Sequence, residues 1–222
     1  MRRGCFITFE GLDGSGKTTQ LRLLSQALEQ QGHSVVVTRQ PGDTPLGDRI
    51  RTLLLDSKTT DVAPMAEMAL MFADRAQSVQ EIITPALHAG KIVLCDRFTD
   101  STEAYQGGGR EIGSQHVLAL HRLLCGSLQP DLTLLLLPDL DASLARARNR
   151  KSPGLNPESA DRFERENRAF YQKVLFKYQE LAVRDSHRIV VFADDLPIQP
   201  LHQRILAAVQ IKLATLLSLS VR

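Results

Sequence analysis

Eight consecutive residues, Gly11-Leu12-Asp13-Gly14-Ser15-Gly16-Lys17-Thr18, have the types and spacing to cradle a polyphosphate. In the pattern G-x-x-x-x-G-K-[ST], successive backbone N–H groups curl around phosphate oxygens. The lysine reaches the β- and γ-phosphates, and the hydroxyl ligates Mg2+. Those roles fall here to Lys17 and Thr18, with Thr19 beside them. The apolar run Cys5–Phe9 reads as a buried strand before the loop, and Thr19–Gln31 as a helix with Leu21, Leu24, Ala27 and Leu28 on one face. The start of that helix adds its dipole to the anion site. A glycine-rich turn with an incidental Lys-Thr is the bland alternative, and the strand-loop-helix context weighs against it. One residue is out of place. Asp13 would be repelled by a triphosphate unless it faces something else.

The other chemistry-bearing residues fall where strands are expected to end. In open α/β sheets the ligand lies outside those carboxyl ends. Arg39 follows the second strand, at the turn Arg39-Gln40-Pro41-Gly42, as a fork-shaped phosphate donor. Asp96-Arg97-Phe98 closes the third: Asp96 suits Mg2+, held directly or through water, and Arg97 suits a second phosphate. A helix cap or a plain ion pair would explain the same residues. Ser101 to Arg110 then supplies hydroxyls, an amide, an aromatic and three glycines, expected to be a flexible turn or a close backbone approach. Basic residues cluster at Arg146, Arg148, Arg150 and Lys151. Arg148 and Arg150, two apart, cannot both face one way on a helix, so at most one of them is expected to reach a transferring phosphoryl group, the other serving the nucleotide or solvent. Two phosphate-binding clusters beyond the loop favour a kinase acting on a phosphate over a hydrolase. A phosphate monoester has a second pKa near ~6, so its oxygen needs no general base at neutral pH. None is evident. Catalysis would rest on positioning and charge neutralisation by Lys17, Mg2+, Arg97 and the arginines near 148–150.

The elements that must position these residues follow an alternating strand-helix pattern, the signature of a parallel sheet. Strands are predicted at Cys5–Phe9, Ser34–Thr38, Ile92–Cys95, Leu132–Leu137 and Arg188–Phe192. Helices are predicted near Thr19–Gln31, Leu46–Leu55, Ala66–Leu87, Ser114–Leu124, Leu140–Asn149, Ser159–Arg184 and Gln199–Leu217. The expected fold is a three-layer α/β domain over residues 1–222 with a five-stranded parallel sheet. Residues 148–160, carrying Pro153, Gly154 and Pro157, form a candidate lid. A net charge of +2 gives no broad footprint for nucleic acid. Three widely spaced cysteines argue against a disulfide framework or zinc site and for the cytoplasm. The N-terminal apolar run is expected to be too short for a leader, and the apolar tail has helical spacing and is broken by Gln210 and Lys212, which favours a core-facing helix over a membrane span.

These segments together resemble the thymidylate kinase family. The carriers are Phe9 to Thr19, Thr38-Arg39-Gln40-Pro41-Gly42, Ala73-Asp74-Arg75-Ala76-Gln77, Asp96-Arg97-Phe98 with Ser101, and Ala104-Tyr105-Gln106-Gly107-Gly108-Gly109. The last is the most specific, and the match runs over nearly the whole chain. The resemblance, to the bacterial type with lid arginines, implies a P-loop nucleoside monophosphate kinase fold. It implies phosphorylation of dTMP to dTDP by ATP with Mg2+, in the supply of dTTP, by a homodimer with Ala66–Leu87 near the interface. It also implies that Asp13 holds the deoxyribose 3′-hydroxyl, so that it faces the acceptor sugar. Arg39 and Arg97 would bind the dTMP phosphate, and Arg75 would reach the thymine edge. Tyr105 would occupy the space of a ribose 2′-hydroxyl, and Gln106 and Ser101 would complete the pocket.

The chain departs from the family pattern at four places. Gln40 stands where Glu is usual, which is expected to leave Arg39 less restrained, and Asp43, in place of a second Gly, is expected to point outward. Leu137 replaces an Asp after the fourth strand. The family's base-stacking Phe falls on Met71, with Phe72 next, about 100° round the helix. Either Met71 packs on the base and Phe72 is core, or a local shift returns Phe72 to the pocket. Alternative functions are a kinase for another (deoxy)nucleoside monophosphate and an inactive nucleotide-binding dimer. A GTPase would need a guanine-reading Asn-Lys-x-Asp, which Asn149-Arg150-Lys151-Ser152 does not supply.

Overall fold

Five short runs rich in Val, Ile, Leu and Phe form the strands, because β-branched and aromatic side chains pack well on a pleated surface. They are β1 (Cys5–Gly11), β2 (Val35–Arg39), β3 (Ile92–Asp96), β4 (Leu132–Leu136) and β5 (Ile189–Phe192). The computed structural model describes residues 4–149, 162–163 and 166–219. All pairings are parallel, in the order β2-β3-β1-β4-β5. Central β1 is buried along its whole length, as a strand covered on both faces must be. Its register sets Phe9 beside Asp96, and Arg39 beside Asp96 on the other side, so the ends of three strands converge.

The helices are α1 (Lys17–Gln30), α2 (Pro45–Leu55), α3 (Pro64–Ser78), α4 (Thr84–His88), α5 (Thr99–Thr102), α6 (Ser114–Cys125), α7 (Leu140–Asn149), α8 (Arg168–Arg184) and α9 (Ile198–Leu219). One core joins α1 and α9 to the sheet through Ile7, Phe9, Leu24, Leu28, Leu134 and Val209. On the other face, Leu12, Tyr105, Leu135, Tyr171, Val174 and Tyr178 gather under α8. The three-layer α/β expectation holds.

Three segments differ from the sequence pattern. The single helix expected over Ala66–Leu87 is α3 and α4 joined by a π-helical turn at Val79–Ile83. Pro85 has no N–H to donate back along the helix, and the winding widens just before it. The glycine-rich stretch is no loose turn: Glu103–Gly109 is π-helical and packed against α8. A Cβ on Gly108 would lie 2.8 Å from Lys177 Cβ, and one on Gly109 would lie 2.5 Å from a Phe170 ring carbon. Close approach is therefore what Gly108 and Gly109 serve. The long helix expected from Ser159 begins, within the described residues, at Arg168, where the Asn167 carboxamide oxygen accepts from Phe170 N at 2.9 Å. The lid at 148–160 lies outside the described residues apart from the backbone of 148–149, as do the Arg148 side chain and Arg150.

Candidate active site

The loop Gly11 to Thr18 joins β1 to α1 at the carboxyl edge of the sheet. Gly14 and Gly16 adopt φ of 78° and 97°. A Cβ on Gly14 would also stand 2.0 Å from the Ser143 carbonyl oxygen, so the loop closes against α7 only with glycine there. The Leu12 side chain is fully buried with Leu135 and Leu137, which anchors the loop from below. Leu137, the departure after β4, thus belongs to the apolar floor, and its N–H donates to Phe192 O at 2.9 Å. Lys17 Nζ folds back onto its own loop, donating to Gly11 O at 3.1 Å and Leu12 O at 2.8 Å. Burial, then the nearby Arg97 charge, lowers its pKa to about 8, so a phosphate anion would be a better partner than these carbonyls.

At the end of β3, Thr18 Oγ1 donates to Asp96 Oδ2 at 3.3 Å, while buried Asp96 Oδ1 has no hydrogen-bond partner. Among the described residues no group of three or more His, Cys, Asp or Glu could hold a metal ion. One hydroxyl and one orphaned carboxylate oxygen fit Mg2+, which is held by few protein oxygens and completes its shell with phosphate and water.

A cavity opens beyond the loop, and Asp13 faces it. Asp13 Oδ1 accepts from Arg97 Nη2 at 2.6 Å, and Tyr105 Oη lies 3.4 Å from Oδ2. Arg97 has φ of 71°, uncommon for a side chain that size, and its N–H donates to Phe9 O at 2.9 Å. Its Nη1 donates to Gly11 O and Ser101 Oγ, both at 3.0 Å, and its guanidinium sits over the Tyr105 ring at 5.0 Å. Burial works against the Arg97 charge, but Asp13 and the surrounding groups outweigh it and hold the guanidinium well above its ordinary pKa. The two substrate-facing ideas of the sequence, Asp13 and Arg97, are one ion pair in the structure.

The cavity floor is Arg75, which is 2 % exposed. Its guanidinium lies between the rings of Phe72 (4.7 Å) and Phe98 (5.3 Å). Nε donates to Gln40 Oε1 at 2.7 Å, and Nη2 to Phe98 O at 3.1 Å and Thr102 Oγ1 at 2.9 Å. Buried Nη1 has no partner, a donor kept for something in the cavity. Met71 lines the cavity, whereas Phe72 is fully buried with Met68 and Val117. Gln106 also lines it, with Nε2 donating to the buried Glu67 at 2.8 Å. Glu67 in turn pairs with Arg110 at 3.2 Å and Arg162 at 2.6 Å, which holds Phe163 at the cavity beside Tyr105.

Arg39 does not line this cavity. Asp43 is exposed, as expected, and its carboxylate accepts from Arg39 N at 2.9 Å and pairs with Arg39 Nε at 3.0 Å. The expectation of a looser Arg39 is corrected: Gln40 turns to Arg75, and Asp43 supplies the missing charge. Arg51, donating to Pro41 O at 2.8 Å, lines the cavity, as do Leu55, Thr102 and Phe163. Sequence reasoning missed these four. They come from α2, α5 and the segment before α8 and carry no local signal, though Thr102 directly follows Ser101.

A second cavity flanks the opposite side of the loop, lined by Gly14, Ser15, Gly16, Thr19, Pro138 and Phe192, among others. Arg146 crosses it, donating to Gly14 O at 3.0 Å and pairing with Asp195 at 3.3 Å. The basic cluster on α7 was the signal for Arg146, and the turn after β5 supplies Asp194 and Asp195 to the same cavity. The P-loop is therefore the wall between two cavities.

Comparison with known proteins agrees with this architecture. A model of the family described as thymidylate kinase matches residues 9–205. The thymidylate kinase of Pelobacter propionicus is 46% identical over 206 residues, covering 93% of this chain and 94% of that one. That of Geotalea uraniireducens is 45% identical over 211 residues, covering 95% and 99%. The crystal structure of thymidylate kinase from Ehrlichia chaffeensis superposes with a TM-score of 0.74 at 33% identity, covering 94% of this chain and 99% of that one. No helix among the described residues is long and apolar enough to cross a membrane. By sequence and by fold, this chain belongs to the thymidylate kinase family.

Proposed function

We propose that the chain transfers the γ-phosphoryl group of ATP to a phosphate oxygen of dTMP, giving dTDP and ADP. The observation that carries this reading is the Asp13–Arg97 pair at 2.6 Å, which makes one loop serve two cavities. ATP lies with its phosphates in the loop and its adenine in the cavity crossed by Arg146. Thr18 and Asp96 would hold Mg2+, which when bound would neutralise charge on the phosphates. Lys17 leaves the carbonyls of Gly11 and Leu12 for the phosphates. Arg97 binds the acceptor phosphate, helped by Arg39, which lies two residues from Pro41 of the lining. Arg148 and Arg150 bring further positive charge from the lid. The acceptor oxygen is already ionised near neutral pH, so no base is needed.

In the acceptor cavity Asp13 accepts from the 3′-hydroxyl, Arg75 Nη1 donates to the thymine edge, and Ser101, Tyr105 and Gln106 close the pocket. Tyr105, 6 % exposed and held by Arg97 and Asp13, leaves a ribose 2′-hydroxyl crowded and unpaired. Met71 packs on the base, a contact of roughly 0.3–1.5 kcal/mol. Met71→Ala is therefore expected to raise the KM for dTMP several-fold with little change in Tm. Phe72→Ala is expected to cost about 3–5 kcal/mol of stability. Steady-state kinetics and thermal melts separate the two, and a selective KM effect from Phe72→Ala alone would reverse the assignment.

Exposed apolar residues on α3 and α6, Met65, Leu123 and Leu124 among them, support pairing with a second copy. Cys95 and Cys125 are buried thiols, which suits the reducing cytoplasm. The reading is tested by metal removal. Chelating Mg2+ is expected to abolish ADP release with dTMP, and adding it back to restore it. Thr18→Val is expected to raise the Mg2+ concentration at half-maximal rate by about tenfold, the loss of one ligand. Full turnover in excess chelator would overturn the metal assignment.

A further inference from the structure

Glu10 is a fully buried carboxylate in the central strand, two residues before Leu12. Alternation along β1 places it on the side of Phe6 and Thr8, away from the core that takes Ile7 and Phe9. A carboxylate there is costly unless its lone pairs are used, and they are. Oε1 accepts from Phe98 N at 2.7 Å. Oε2 accepts from the Ser101 hydroxyl, in a short contact, and from Tyr178 Oη at 3.1 Å. The same two hydroxyl oxygens face Arg97 Nη1, at 3.0 Å from Ser101 and 3.5 Å from Tyr178.

Each hydroxyl has one proton and two lone pairs. Turning both protons toward Glu10 leaves lone pairs for the Arg97 N–H groups. We propose that Glu10 is a positioning residue that, through Ser101 and Tyr178, holds the Arg97 guanidinium in the direction that meets the acceptor phosphate. The inference rests on the reading of Arg97 given above. With Nη1 fixed from behind, Nη2 is left pointing at Asp13 and the cavity. Glu10 touches no substrate in this arrangement and acts only through the two hydroxyls.

Glu10→Gln tests it, because the amide keeps an acceptor for Phe98 N but puts a donor where Ser101 and Tyr178 now donate. The Ser101 and Tyr178 oxygens lie 2.9 Å apart, so one proton can pass between them, but the other is left to turn toward Arg97, N–H against O–H. The expected result is a rise of about tenfold in the KM for dTMP, the scale of one hydrogen bond to a charged group. The KM for ATP is expected to stay within about twofold. Ser101→Ala and Tyr178→Phe should each show the same selectivity, and Glu10→Gln should add little to the Ser101→Ala/Tyr178→Phe double variant. Arg97→Ala is the control for the underlying reading. If Arg97→Ala weakens dTMP and a folded Glu10→Gln does not, the inference is overturned while the reading stands. If Arg97→Ala leaves dTMP unchanged, both fall. If Glu10→Gln fails to fold, Tyr178→Phe decides, because Tyr178 does not line the cavity whereas Ser101 does: a selective loss for dTMP supports the relay, and no loss overturns it. Equal losses for ATP and dTMP would mark Glu10 as structural only.

Discussion

Lys17→Met is expected to lower kcat by roughly 10²–10³, the range for removing one preorganised charged donor from a transition state. The side chain stands at the first position of α1, where the loop's backbone amides and the helix dipole already favour anions. What the ammonium adds is a mobile charge that can follow the transferring phosphoryl group. Stability should not fall with it. Lys17 is 5 % exposed, and burial holds its pKa down at about 8, so the folded protein carries the cost of hiding this charge. Methionine matches its length and removes that cost. Single-turnover rates and a thermal melt on the same sample check the pair of outcomes: a slow enzyme with an unchanged or higher Tm. A slow enzyme with a much lower Tm would point to misfolding rather than lost chemistry.

Asp13→Ala is expected to reduce kcat/KM for dTMP by about 10–100-fold, from the loss of a hydrogen bond to a charged acceptor worth roughly 1.5–3 kcal/mol. Two effects compete. Removing the carboxylate lifts its repulsion from incoming phosphate, but the Asp13 side chain is 39 % exposed, so solvent and salt weaken that term. Directional contact with the sugar hydroxyl and restraint of Arg97 are both lost, and those dominate. The KM for ATP should change by less than about threefold, since the triphosphate is bound by backbone amides and Lys17. Asp13→Asn keeps an acceptor and should lose less. Initial rates with each substrate varied in turn check this, and equal losses for both would contradict the two-substrate loop.

How much was legible in the sequence depended on how far each feature reached along the chain. The loop Gly11 to Thr18 is local: its glycines, lysine and hydroxyl sit in one turn, and spacing alone implies their geometry. The ends of β2 and β3 were legible because a parallel sheet delivers its strand ends to one edge. Helical phase set Met71 and Phe72 about 100° apart but left either able to meet the base; the structure puts the first on the cavity and the second in the core. Arg51, Thr102 and Arg146 were not assigned, because each reaches its cavity only through the packing of α2, α5 and α7 against the sheet, and Phe163 was not, because it reaches its cavity from a turn ahead of α8. The Asp43–Arg39 pair was misjudged because it depends on a tight turn with φ of 65° at Asp43, which a side chain seldom adopts. Glu10 was visible as a letter in a strand, but its partners Ser101 and Tyr178 lie 91 and 168 residues away.

The central claim is acceptor choice. The most direct measurement is coupled ADP release with ATP, Mg2+ and, in parallel, dTMP, dUMP, UMP, AMP and GMP. The account predicts the highest kcat/KM with dTMP, a lower value with dUMP, and negligible turnover with UMP, AMP and GMP. No turnover with dTMP, or UMP used as well as dTMP, would contradict it.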